Sequence, residues 1–296
     1  MKEERLKILE MLEQGKINAD EASQLLAQFN VQSNESSVLD WIKNGIAILG
    51  GYRQQVEFES NPAGNGIKVI SMHGKNANVS LKAYDGLTLK VKCDYVSKIE
   101  NPEIALLEEN GVFELSYNDK EIKSMEIKCY VPEVLVEKAI LASGNGRLSL
   151  EDINCNKLEA TTTNGKIKLE KTTAKTAELV TTNGSIKLEK TAVVNAQLQT
   201  SNGSIKVEEP APWEQEHQLK ARTTNGSIVV EVPAEIGIKL DAKTTNGSIR
   251  CNSVQGENTK GYVGKSISGQ NELYDSAAQK IVLDLSTTNG SVKVLD

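Results

Sequence analysis

Aromatic residues are scarce in this chain, 4 % of its 296 residues, which excludes an interior built around Phe, Tyr and Trp. Ile, Val, Leu, Ala and Thr must fill it instead, which suits thin stacked layers. Histidine is nearly missing: His73 and His217 are the two present. The four cysteines, Cys93, Cys129, Cys155 and Cys251, lie tens of residues apart without a C-x-x-C pair, so neither a zinc site nor another metal site or cofactor is expected. With no export signal, they read as free, mostly buried thiols. A basic excess is also lacking, with 34 Lys and Arg against 40 Asp and Glu; nucleic acid is therefore not an expected partner. The N-terminus "MKEERLKILEMLEQG" interleaves charges with its apolar residues, so it reads as neither signal peptide nor membrane span. The expected location is cytoplasmic, with peripheral attachment at a membrane left open.

Short helical patterns open the chain. Leu6, Leu9 and Leu12 recur at helical spacing until Gly15, and Asn18 with Glu21 forms a capping-box pattern ahead of Ala22, Leu25, Leu26 and Phe29. Residues 1–30 thus read as a helical hairpin, too small to hold a core of its own. Residues 31–56 read as a polar linker followed by an amphipathic cap helix, with Val38, Ile42, Leu49 and Tyr52 on one face. Membrane-surface attachment through Trp41 is the alternative use of that helix, although its polar face lacks the usual basic residues.

From residue 67 onward the pattern alternates at the strand period. From about 140 a phrase repeats: "TTNGKIKLEKT", "TTNGSIKLEKT", "TSNGSIKVEEP", "TTNGSIVVEVP", "TTNGSIRCNSV" and "TTNGSVKVLD". The glycines that mark it are Gly146, Gly165, Gly184, Gly203, Gly226, Gly247 and Gly290. Their spacing near 20 residues is that of a stacked array, too short for a four-stranded propeller blade. The long gap before Gly290 suggests a further copy near "KSISGQNELYD". The Asn-Gly or Asp-Gly steps at 65, 85 and 110 suggest degenerate copies earlier on.

The expected fold is therefore mainly β: a single-stranded β-solenoid, or β-helix, over 57–296, with the helical hairpin and cap at its N-terminus. Parity places Leu179, Thr181 and Asn183 on one face and Ile186 and Leu188 inward after the turn. Stacking then predicts a ladder of Asn164, Asn183, Asn202, Asn225, Asn246 and Asn289, with each glycine supplying a positive φ at the corner. TTNG reads as a structural bracket rather than a catalytic motif.

Outward positions align as well. Lys168, Lys187, Lys206, Arg250 and Lys293 make a basic stripe beside Glu170, Glu189, Glu208 and Glu231. The stripe is a candidate binding surface for an anionic polymer or lipid headgroup; the structural alternative is a solvated face of mutually compensating charges. No convergent acid pair, Walker loop or His-activated nucleophile supports an enzyme, and a polysaccharide-acting enzyme is the remote alternative.

"MLEQGKINADEASQLLAQF" resembles the helical-hairpin module of YvlB/LiaX-like bacterial proteins, and the "TTNGSIKLE" array is similar to the adhesin-type β-strand-repeat family. The resemblance implies a regulatory role in cell-envelope stress and a membrane-associated signalling protein as partner. It brings no catalytic residues. A non-enzymatic scaffold is the expected function. The alternative is a self-assembling dimer or filament, joined through an uncapped C-terminal coil that ends inside a repeat.

Overall fold

The computed structural model describes residues 8, 11, 17, 51–62, 66–208, 210, 216–260 and 264–295, without the side chains of 255–260. In chain order the first strands are β1 (Tyr52–Ser60), β2 (Ile67–Gly74), β3 (Ala77–Tyr84), β4 (Leu89–Ser97), β5 (Ile104–Glu109), β6 (Val112–Tyr117) and β7 (Ile122–Pro132). Next come β8 (Val136–Ser143), β9 (Leu148–Glu151), β10 (Asn154–Thr162), β11 (Ile167–Glu170), β12 (Thr173–Thr181), β13 (Ile186–Glu189), β14 (Ala192–Thr200), β15 (Ile205–Glu208), β16 (His217–Asn225) and β17 (Ile228–Glu231). The last are β18 (Gly237–Asn246), β19 (Ile249–Cys251), β20 (Gln255–Lys260), β21 (Lys265–Gln270), β22 (Lys280–Asn289) and β23 (Val292–Leu295).

These strands form two sheets, one of 11 strands and one of 12. In the middle each coil is a long strand, the TTNG corner, a short strand and a second corner. Equivalent positions lie over one another: Leu179 pairs with Ala160 and Leu198, and Ile186 with Ile167 and Ile205. Inward positions are apolar and closed, among them Leu169, Leu179, Ile186, Leu198 and Ile205. Each such side chain contributes roughly 1.5–3 kcal/mol by burial. The bulkiest fully buried side chain, Phe113, sits in β6 near the N-terminal end of the stack, outside the regular coils.

Two stacked columns build the TTNG corner. Buried Thr181 donates to the Gly165 carbonyl at 3.0 Å, and Thr200 to that of Gly184 at 2.9 Å. A buried hydroxyl needs a partner, and the coil below supplies it. The glycines are required by this close approach: a β-carbon on Gly184 would overlap the carbonyl oxygen of Gly165, and the same holds up the column. The expected positive φ is corrected here, because none of the marker glycines adopts it. Left-handed backbone instead occupies the second corner, at Asp152, Lys171 and Lys190, with φ of 57°, 47° and 52°. That corner carries no glycine and left no signature in the sequence.

At the C-terminal end the order of coils departs from the order of the chain. β22 lies between β16 and β18, and β23 between β17 and β19. The last TTNG copy is therefore an inner coil, which corrects the expectation of an open C-terminal edge: both of its strands are already paired on both sides. Residues 265–270 form no further copy. β21 runs antiparallel to β18 and to β20, so the 12-stranded sheet ends in an antiparallel hairpin, while the 11-stranded sheet ends on the parallel strand β19.

The N-terminal end mirrors this arrangement. β2 lies between β8 and β6, and β3 between β9 and β7, while β4, β1 and β5 add antiparallel strands beyond. Asn110-Gly111 is not a degenerate corner. It is the two-residue turn joining β5 to β6, with φ of 51° and 83°, as a tight hairpin requires. The degenerate copy is Asn76-Ala77, which stacks beneath Asn145-Gly146 without a glycine of its own.

The first strand begins at Tyr52, so residues 52–56 belong to the sheet rather than to a linker or cap helix. The rest of the 31–56 segment lies outside the described residues apart from Gly51. Of the expected 1–30 hairpin only Ile8, Met11 and Ile17 are described, and a pair of helices is not shown.

Candidate functional site

The asparagine column runs along the solvent rim of the TTNG corner. Parity fails between Thr181, which is buried, and Asn183, which is exposed, because the chain bends there. The inward placement expected for these amides is thereby corrected. The side chains nonetheless meet: Asn183 Nδ2 donates to Asn164 Oδ1 at 2.7 Å, Asn202 to Asn183 at 2.8 Å, and Asn225 to Asn202 at 2.8 Å. Asn289 donates to Asn225 at 2.8 Å and Asn246 to Asn289 at 2.9 Å, following the rearranged coil order.

Below Asn164 the column continues through Asn145 and Asn76, each step 2.7 Å, and ends on the Lys123 carbonyl at 3.1 Å. Asn76 and Asn145 escaped the sequence reading. Asn145 does precede a marker glycine, whereas Asn76 has only its stacked position to identify it. Every amide donates in the same direction, so the column has a polarity. Its neighbour, the column of glycine carbonyls, ends at Gly247, where the ammonium of Lys265 donates at 3.0 Å. A cation on terminal carbonyls is the arrangement that also stabilises helix C-termini.

On the outer face of the shorter strands Lys168, Lys187 and Lys206 stack in register. Each is held by carboxylates: Lys168 reaches Glu170 at 2.5 Å and Glu189 at 3.8 Å, Lys187 reaches Glu189 at 2.9 Å and Glu208 at 2.6 Å, and Lys206 also pairs with Glu208. The lysines hold the Glu170 and Glu189 carboxyls below the usual range, chiefly by hydrogen bonding. This part of the stripe is a charge lattice. Val229 then interrupts it, and Lys293 and Arg250 follow in that spatial order, without an ion pair among the described residues.

The thiols offer little chemistry. Burial pushes Cys93 and Cys155 up to about 12, and Cys129 is raised further, which leaves all three protonated and poorly nucleophilic. His217 is buried at the start of β16, and desolvation lowers it to about 4. Among the described residues no His, Cys, Asp and Glu converge as a metal site. No described helix is long and apolar enough to cross a membrane.

A family model described as Toastrack DUF4097 matches residues 70–295, and one described as a SHOCT-like domain matches residues 3–33. No curated protein matches the chain. Among solved structures, a candidate cell-adhesion protein from Clostridium sporogenes is similar at 14 % identity and a TM-score of 0.43, over 82 % of this chain and 99 % of that one. A candidate adhesin from Bacteroides fragilis gives 13 % and 0.42, over 82 % and 97 %. A candidate lipid-binding protein from Parabacteroides distasonis gives 11 % and 0.37, over 83 % and 98 %.

Proposed function

This chain belongs to the Toastrack DUF4097 family, and from that premise we propose that it works as a non-enzymatic scaffold in the bacterial cell-envelope stress response. The solenoid is the rigid platform, and the N-terminal segment is the recruiting element that engages a membrane-associated signalling protein from the cytoplasmic side. The observation that carries this reading is how the regular coils use their polar side chains. The corner amides bond to one another, the threonine hydroxyls to glycine carbonyls, and the lysines of the central stripe to neighbouring glutamates. What remains to offer a partner along those coils is an ordered surface. The match of a SHOCT-like domain to residues 3–33 supports a separate unit ahead of the platform.

The test is deletion of residues 1–36. The shortened protein is expected to keep its β circular dichroism and its melting temperature. In cells challenged with an envelope-active antibiotic, it is expected to lose both co-purification with membrane proteins and the response of a stress reporter. A reporter response equal to that of the full chain, with the deletion protein present at equal level, would overturn the recruiting role.

A further inference from the structure

One surface is not absorbed by the lattice. At the N-terminal end of the stack two adjoining depressions, of about 660 and 450 Å³, share Asn78, Glu126 and Asn145. Together they form an open groove that crosses β1, β4, β7, β3 and β9 and reaches the corner before β11. With neighbouring strands about 4.8 Å apart, its floor extends roughly 20 Å, enough for an oligomer. We infer that this groove is a binding site for a neutral oligosaccharide bearing acetamido groups, a ligand that goes beyond the scaffold role and does not depend on it.

The lining selects this chemistry by what it presents. A primary amide has two donor hydrogens and an acceptor oxygen with two lone pairs. Asn145 uses one hydrogen on Asn76 and one lone pair for Asn164. Asn76, Asn145 and Asn164 each spend one hydrogen and one lone pair in the column, and all three line the depressions. Such a row matches hydroxyls and acetamido groups, which both donate and accept. Beside it, Asn78 Oδ1 accepts from the Arg147 backbone N–H at 2.9 Å, which fixes the orientation of that amide.

The rival ligands each meet an obstacle. A peptide adding as a strand needs an open edge; β4, β7, β3 and β9 are paired on both sides, and the edge of β1 that is open among the described residues lies at the end of the groove away from Asn145 and Asn164. An apolar helix needs several exposed anchors, whereas Val79, Met125 and Tyr95 of the lining are buried and Val96 is only half-buried. A polyanion or polycation needs charge of one sign, yet Arg53, Arg147 and Lys166 share the groove with Asp94 and Glu126. Mixed charges of this kind serve as hydrogen-bonding partners for hydroxyls.

The experiment titrates chitotetraose, maltotetraose and polyglutamate into the full-length protein, read by calorimetry and by the side-chain amide resonances of asparagine. Chitotetraose is expected to bind saturably and to shift a subset of those resonances, with maltotetraose several-fold weaker for want of acetamido groups. Glu126→Ala together with Arg147→Ala, both exposed and outside the corner columns, should weaken chitotetraose by about tenfold, or about 1.4 kcal/mol. Lys187→Ala in the central lattice should leave it unchanged. Absence of saturable binding, equal binding by the double variant, or tighter binding of polyglutamate would each overturn the assignment. None of those failures would touch the outcome of deleting residues 1–36.

Discussion

Between Val136 and Glu231 coils are added in the order in which the chain writes them, whereas at both ends the order is broken. In the middle each strand pairs in parallel with its own equivalent, and one coil resembles the next. At the ends the outermost copy of the chain is tucked inward, and antiparallel strands extend both sheets at the N-terminal end and the 12-stranded sheet at the C-terminal end. The difference separates two physical problems. A repeating coil solves its packing by presenting to its neighbour the same surface that its neighbour presents to it. A terminal coil has no such neighbour, and its unpaired N–H and C=O groups would template another chain. Antiparallel strands break the identity of edge and template at three of the four sheet ends; at the fourth, β19 ends the 11-stranded sheet as a parallel strand with one strand partner among the described residues.

The strongest way to break this comparison is a methyl group in the middle. Gly184→Ala places a β-carbon against the Gly165 backbone carbonyl, and a loss of about 4 kcal/mol or more is expected in urea unfolding. Gly66→Ala at the N-terminal end has open space around it but a φ of +64°, so about 1–2 kcal/mol is expected. Equal losses would mean that the glycine column is not what sets the stacking.

Acid sharpens the contrast at the C-terminal junction. His217 pairs in register with Ile281 of the inserted coil, and its depressed value, about 4 against an ordinary 6.5, keeps it neutral in the native state. The unfolded chain takes up the proton first, so stability is full above pH 6.5 and falls as pH drops toward 4. The slope is at most about 1.4 kcal/mol per pH unit. His217→Leu should remove that part of the pH dependence in melts between pH 7 and 4.5. An unchanged slope would assign the acid sensitivity elsewhere.

Smaller effects distinguish inner from outer positions of the amide column. Asn183→Ala removes a ladder bond above and one below, for about 1–2 kcal/mol in thermal unfolding; Asn246→Ala removes the single bond to Asn289, for about half as much. Lys190→Gly relieves a left-handed backbone at the second corner and should raise stability by about 0.5–1 kcal/mol. A loss there would show that the lysine side chain outweighs the strain.

Legibility in the sequence followed the same division. The faithful letters of TTNGSIKLE revealed the coil length, the inward Ile and Leu, and which asparagines share a column, because stacking in register makes equal positions equal. Asn76 was hidden since Ala77 replaces the glycine, and Asn110-Gly111 misled because the same dipeptide serves a hairpin. The groove at the N-terminal end was invisible. Its residues come from β1, β4, β7, β3 and the corners after β8 and β10, and only coil order brings Arg53 near Asn145.

By itself the sequence determined the repeating unit: strand period, corner chemistry and a thin aliphatic interior follow from local residue patterns that each coil carries complete. Only the tertiary structure decided which coil lies beside which, where the stack ends, and which charges are neutralised. Coils with near-identical surfaces fit one another in any order, so their order is fixed by pairings between strands far apart in the chain, such as β16 with β22 and β22 with β18.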